Sequence, residues 1–74
     1  MIVKTKNSVY KFDFIGSTDD GNWRGTVSKN GETATPCHML SLIEVGSRMV
    51  MMLGETSDSG VRTTTAVAEI KLAA

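Results

Sequence analysis

The feature that most constrains this chain is the segment Val45–Leu53, in which five apolar residues follow Arg48 without interruption. Gly46 and Ser47 precede the run, and the Gly- and Ser-containing stretch Gly54–Gly60 follows it. A short apolar run between turn-forming residues indicates a strand covered on both faces rather than a helix. The segment therefore predicts a central strand over residues 48–53, around which the rest of the chain is arranged.

The N-terminal segment Met1–Phe14 has the alternation typical of a strand. Tyr10, Phe12 and Phe14 share one face, and mostly polar residues occupy the other. The phase is interrupted at Lys6–Ser8, where a bulge or tight bend would turn Tyr10 inward again.

A second strand is predicted at Trp23–Ser28, where Gly25 either receives an aromatic ring from the opposite strand or marks a bend of a barrel. Asn30-Gly31 predicts a hairpin turn of type I′, because both residues tolerate positive φ. We expect a short strand at Glu32–Thr35, ended by Pro36, which cannot donate to a ladder.

Two readings remain open for Cys37–Val45. Its apolar residues are spaced like a helical turn, but an extended or 3₁₀ segment fits as well and is favoured here. The final strand is predicted at Val61–Leu72, since β-branched residues are frequent there. Simple alternation places Val67 and Ile70 of this strand on opposite faces.

These segments predict one all-β domain spanning residues 1–74. Five or six short strands separated by turn signals favour a strongly bent antiparallel sheet or a small SH3-like barrel. A chain of 74 residues buries a small core, and its single cysteine excludes an internal disulfide. Because small domains usually need further stabilisation, we expect a homo-oligomer.

Composition narrows the classes of partner. Eight basic and eight acidic residues cancel, so charge alone indicates neither nucleic acid nor an anionic membrane. No apolar stretch approaches the ~20 residues of a membrane span, and no signal peptide is evident at the N-terminus. The lone Cys37 suits a reducing compartment, and we expect a cytoplasmic protein.

Few residues offer chemistry. Cys37 and His38 form the one nucleophile and base pair, yet neighbours on an extended chain point in opposite directions. Asp19 and Asp20 are typical of a solvated turn, and the glycines of Gly54–Gly60 are not followed by the Lys of a phosphate loop. We therefore predict no catalytic residues, no metal site and no cofactor.

Methionines in the central strand favour a binding surface instead, because their flexible side chains adapt to irregular partners. Met49 and Met51 are explained as core, which leaves the opposite face of the strand for a subunit or another protein. The predicted interface residues are Val50, Met52, Val67 and Ile70.

The alternative is binding of single-stranded nucleic acid, which small barrels achieve with basic residues and exposed aromatic rings. At least three of the four aromatic residues are needed for the core. The basic residues that would line a nucleic-acid face are Lys4, Lys6, Lys11 and Arg24.

In layout, the segments Lys4–Tyr10, Ile43–Met49 and Val61–Ile70 resemble those of small SH3-like β-barrel accessory proteins of phages and mobile elements. The resemblance implies a non-enzymatic protein that binds a host macromolecular complex. Inhibition of a host defence complex, as by anti-CRISPR proteins, or of a polymerase complex is among the roles it implies. A protein-binding domain is therefore the leading hypothesis, ahead of a nucleic-acid binder or a structural homo-oligomer.

Overall fold

The computed structural model describes residues 1–17, 21–54 and 60–72, which form six β-strands. The strands are β1 (Ile2–Thr5), β2 (Val9–Ser17), β3 (Trp23–Lys29), β4 (Thr35–Met39), β5 (Arg48–Leu53) and β6 (Val61–Lys71). Each strand pairs antiparallel with the next, and β6 returns to β1, so the sheet closes into a small barrel. The all-β prediction is confirmed. Within the described ranges no helix is long and apolar enough to cross a membrane.

The turns that the sequence marked lie where they were predicted. The chain bends tightly between β1 and β2, where the Thr5 amide donates to the Ser8 carbonyl at 2.9 Å. Asn30 and Gly31 connect β3 to β4 with φ values of 53° and 79°, as a type I′ turn requires. The central strand at Arg48–Leu53 is confirmed as β5.

The strand predicted at Glu32–Thr35 is displaced toward the C-terminus. The chain is irregular over residues 32–34, and Pro36 is the second residue of β4 rather than a residue that ends a strand. Its carbonyl accepts from the Gly54 amide at 2.7 Å, just beyond the end of β5. Because the nitrogen and carbonyl of one residue point to the same side of a strand, the nitrogen of Pro36 faces the end of β5, so its missing N–H removes no bond from the β3–β4 ladder.

The ambiguous segment Cys37–Val45 is extended and not helical. Its first three residues complete β4, and the rest connect β4 to β5 without a helical turn. Ile43 in this connection packs against the core, whereas the neighbouring Leu42 is exposed. The apolar residues of this segment are therefore spaced as in a helix although they do not share one buried face, since Ile43 contacts the core and Leu42 does not.

The core occupies the inside of the barrel, and every strand contributes to it. The buried apolar residues are Val3, Phe12, Val27, Cys37, Met39, Met49, Met51 and Val67. Thr64 provides a hydrogen-bond partner for a backbone amide inside this core. Its hydroxyl accepts from the Met49 amide at 3.0 Å and donates to the Thr65 carbonyl at 2.7 Å. The side chain thereby replaces a ladder bond at a bulge between β5 and β6.

A second bulge corrects the prediction for β6. Ile70 pairs with Val3 and Glu69 with Lys4, but the register then shifts so that Val67 pairs with Thr5. Ala68 is left as the extra residue, which changes the phase of the strand. Val67 is therefore buried and Ile70 also packs against the core, so the two do not lie on opposite faces.

Gly25 lies where the backbone of β2 closely approaches β3. A Cβ atom at this position would lie 2.0 Å from the Asp13 carbonyl oxygen and 2.8 Å from Cα of Phe14. The glycine thus accommodates the backbone of the neighbouring strand, not an aromatic ring. The register of β2 against β3 shifts between Phe14 and Gly16, so the sheet bends at this point.

Candidate binding surfaces

The structure does not bring the four predicted interface residues together. Val50 and Met52 lie on the outer face of β5, where both are half-buried. Val67 is 2% exposed and therefore inaccessible to a partner, and Ile70 faces inward. The bulge in β6 accounts for the burial of Val67 and Ile70, and the interface assignment of the four residues stays a prediction.

A more exposed apolar surface lies at one end of the barrel, where β2 and β6 end, β3 begins and the β4–β5 connection passes. Large apolar side chains there are between 52% and 79% exposed. We call this surface the apolar end, and its residues are Ile15, Trp23, Leu42, Val45 and Leu72. Single exposed apolar residues are ordinary in soluble proteins, whereas large contiguous apolar patches are typical of interaction surfaces.

Trp23 of the apolar end is held in place by a row of aromatic rings. Its ring centroid lies 5.7 Å from that of Phe14, which lies 5.0 Å from that of Phe12. Tyr10 extends the row with a centroid 6.3 Å from Phe12. The expectation that three aromatic residues serve the core is confirmed, and the fourth is presented, already ordered, at the surface.

The sequence contained weak signals for the apolar end. Ile15 follows Phe14 directly and so lies out of phase with the inward-facing aromatic residues of β2. Leu42 and Val45 flank the inward-facing Ile43, and their exposure depends on the path of the β4–β5 connection. Residue spacing alone does not specify that path.

The predicted nucleic-acid face is only partly assembled. Lys4 of β1 and Lys11 of β2 share the outer face of the barrel, because Ile2 pairs with Lys11 and Lys4 with Val9. The structure adds Lys71, which pairs with Ile2 from the other side. Arg24, by contrast, pairs with His38 on β4, at a distance from these lysines along the sheet.

Charge and aromatic residues do not combine on this outer face. Glu69 lies 3.9 Å from the Lys4 ammonium and 3.6 Å from that of Lys71, which reduces the local positive charge. Lys6 lies in the turn after β1. The three stacked rings of β2 pack with the core inside the barrel, so the sheet separates them from the basic residues that a single-strand binder would combine with its aromatic platform.

Cys37 and His38 point to opposite sides of β4, as neighbours on a strand do. Cys37 is 4% exposed, and burial raises the pKa of its thiol to about 11, although a hydrogen bond from the Gly25 backbone offsets part of the effect. His38 lies on the outer side, where its Nε2 atom is covered without a hydrogen-bond partner among the described residues. The two side chains therefore do not form a nucleophile and base pair.

The remaining candidate residues give no metal cluster within the described part of the chain. No three His, Cys, Asp or Glu side chains converge there. Asp19 and Asp20, predicted as a solvated turn, lie outside the described residues, as does most of Gly54–Gly60.

The opposite end of the barrel is different in character. A cavity of about 280 Å³ opens there, and we call it the polar mouth. Tyr10, Lys29, Glu32 and Arg62 line it together with several threonines, above apolar side chains of the core. Sequence analysis placed Tyr10 among the inward-facing residues but did not connect it with Lys29, Glu32 or Arg62, because strand pairing alone brings them to one end.

Comparison of the chain with protein-family models, with curated proteins and with solved structures gave no match.

Proposed function

We propose that this chain is a non-enzymatic protein-binding module that docks through its apolar end. The observation that carries the proposal is the exposure of large apolar side chains on segments that the topology brings to one end of a closed barrel, namely Ile15, Trp23, Leu42, Val45 and Leu72. Exposed aromatic and aliphatic anchors of this kind dominate the energetics of protein interfaces. The lone Cys37 supports a cytoplasmic location for this binding.

The shape of the surface indicates the shape of its partner. The anchors lie on strand ends and on the β4–β5 connection, and side chains exposed by half or more protrude from the barrel. Their partner is a different protein that offers a concave apolar pocket. Trp23 is the central anchor, because stacking on Phe14 fixes its position and lowers the entropic cost of binding.

Two charge-introducing variants test this proposal, Ile15→Lys and Leu42→Lys. Both residues are among the most exposed anchors, at 75% and 69%, so neither substitution disturbs the core. The matched control is Val61→Lys, a change of an apolar residue that is 52% exposed near the polar mouth. Each chain carries an affinity tag, and bound proteins are quantified by mass spectrometry from cells expressing it.

We expect at least one cellular protein to be retained equally by the wild type and the Val61→Lys variant. Each of the two apolar-end variants should retain at least tenfold less of that protein, which corresponds to a loss of about 1.4 kcal/mol of binding free energy. Equal retention by all four chains would exclude the apolar end as the docking surface. Circular dichroism of each variant shows that the barrel is intact.

The resemblance to phage accessory proteins supports a finer proposal. In it, the bound protein is part of a host defence complex, and docking inhibits that complex as an anti-CRISPR protein does. Plaquing of a targeted phage on bacterial strains with active CRISPR systems tests it, since expression of an inhibitor restores plaques and the Ile15→Lys variant does not.

Self-association is the competing use of the same apolar surface. The expectation of a homo-oligomer came from the small core, but the barrel already encloses that core with all six strands. Light scattering at micromolar concentration distinguishes the two uses. A monomer supports docking of a different protein, whereas a dimer that Ile15→Lys dissociates would assign the apolar end to a second copy.

A further inference from the structure

We infer that the polar mouth is a binding site for a small amphipathic monoanion, such as an aliphatic carboxylate. The cavity of about 280 Å³ lies at the end of the barrel where β2, β4 and β6 begin and β3 and β5 end. Mouths of β-barrels are frequent ligand sites, and clefts that hold drug-sized molecules begin at roughly 300 Å³. The polar mouth therefore fits a ligand smaller than most drugs.

Two cations lie on opposite sides of the opening. Lys29 ends β3 and Arg62 lies at the start of β6, and these two strands are separated by two others in either direction around the six-stranded barrel. Neither side chain has an ion-pair partner within the described residues. An acidic group placed between them can accept hydrogen bonds from both.

The charge of the lining matches a single negative charge on the ligand. Glu32 is the one carboxylate among the described lining residues, and it offsets one of the two cations. The site therefore carries one net positive charge. A carboxylate would neutralise it, whereas a dianion would add a second charge opposite Glu32.

The bottom of the polar mouth suits the apolar part of such a ligand. Val27, Met51 and Leu53 line the cavity on its inner side, and the ring of Tyr10 forms part of the wall. The Tyr10 hydroxyl has no hydrogen-bond partner within the described residues, so it is available as a donor. An apolar body contacts these side chains while the acidic group remains at the rim.

The test uses octanoate and its neutral analogue octanamide as probes. Binding is measured by titration calorimetry, and the contacted residues are identified by NMR shifts of the backbone amides. Arg62→Gln removes one cation of the polar mouth, and Arg48→Gln, which removes an exposed arginine at the other end of the barrel, is the matched control. Both residues are exposed, so the fold is retained, which the melting temperature verifies.

We expect saturable binding of octanoate with shifts at Tyr10, Thr35 and Arg62, and binding of octanamide that is about tenfold weaker. Arg62→Gln should weaken octanoate by about tenfold and leave octanamide unchanged, while Arg48→Gln changes neither. The inference is overturned if octanoate shifts Trp23 and Leu42 instead, if both probes bind equally, or if octanoate does not saturate at millimolar concentration. None of these outcomes depends on docking at the apolar end.

Discussion

The two ends of this barrel are built from the same six strands but have opposite characters. At the apolar end, Ile43 packs onto the core from the β4–β5 connection, while other apolar side chains protrude into solvent. At the polar mouth, charged and hydroxyl groups surround an open cavity. Strand pairing in the wall of the barrel determines which residues face inward, whereas residues at the two ends are less constrained and can differ in character.

This difference shows where function is found in a small barrel. Inward-facing positions such as Met49 and Met51 are needed for the core and have little freedom to contact anything else. Residues at strand ends and in connections contribute less to the core, so binding residues are more often found there. For this reason we propose a docking surface at an end of the barrel and not on its wall.

The largest effect is expected at Gly25 of β3, and Gly31 near the polar mouth is the comparison. Gly25→Ala places a methyl group against the backbone of β2, so the two strands must separate, and we expect a loss of more than about 3 kcal/mol from the free energy of unfolding. Gly31→Ala near the polar mouth meets no atom but must adopt a φ of 79°, which costs about 1 kcal/mol. Urea denaturation measures both. Equal losses would show that the close approach at Gly25 is not required.

The pH dependence of stability reports how far water reaches inward from the polar mouth. Cys37 pairs with Leu53, which lines the cavity, yet burial raises its pKa from 9.0 to about 11. Between these pH values the unfolded chain loses the thiol proton while the folded chain keeps it. Folding therefore becomes less favourable as pH rises, by about 2 kcal/mol from pH 9 to pH 11.

The control for this effect is Cys37→Ala, which retains the other titrating groups of the chain. The difference between wild type and variant in urea midpoint should change across that pH range and stay constant below pH 9. A constant difference throughout would mean that water hydrates the thiol.

Packing of Ile43 onto the core at the apolar end is tested by truncation of its side chain. Ile43→Ala leaves a gap at the end of the core, and because the residue is partly exposed we expect a loss of about 1 to 2 kcal/mol. Thr33→Ala at the open polar mouth should change stability by less than about 0.5 kcal/mol. Comparable losses at both positions would contradict the difference in packing between the ends.

The smallest effect concerns two residues that are each 52% exposed, Trp23 at the apolar end and Val61 near the polar mouth. Trp23→Ala loses the stacking contact with Phe14, so it should cost about 1 kcal/mol more than Val61→Ala. Thermal unfolding followed by circular dichroism provides the comparison. A difference near zero would show that Trp23 is not ordered by its neighbour.

Much of the wall of the barrel could be predicted from local patterns. The apolar run at Arg48–Leu53, the alternation in β2 and the Asn30-Gly31 turn each act over a few residues, and each appears in the structure as expected. The failures at Val67 and Pro36 have a different origin. Bulges and the ends of partner strands decide them, and these depend on pairing between segments distant in sequence.

The candidate sites were predicted less well, for a related physical reason. Each end gathers residues from several strands and connections, so its composition follows only from the closed topology. Lys29 and Arg62 come to the same cavity although no local pattern connects them. The paired lysines of β1 and β2 could be anticipated because their strands form a hairpin.

The pairing of β1 with β6 has a consequence for how this chain folds. The other five strand pairings join segments consecutive in sequence and can form as hairpins within microseconds. The last pairing brings Ile2 to Lys71 and closes a loop that contains nearly the whole chain, which is entropically costly and slow. Loss of the β1–β6 pairing would expose one edge of β1 and one edge of β6 at the same time, and exposed strand edges are templates for aggregation. Resistance to aggregation in this protein therefore depends on the one pairing that forms last.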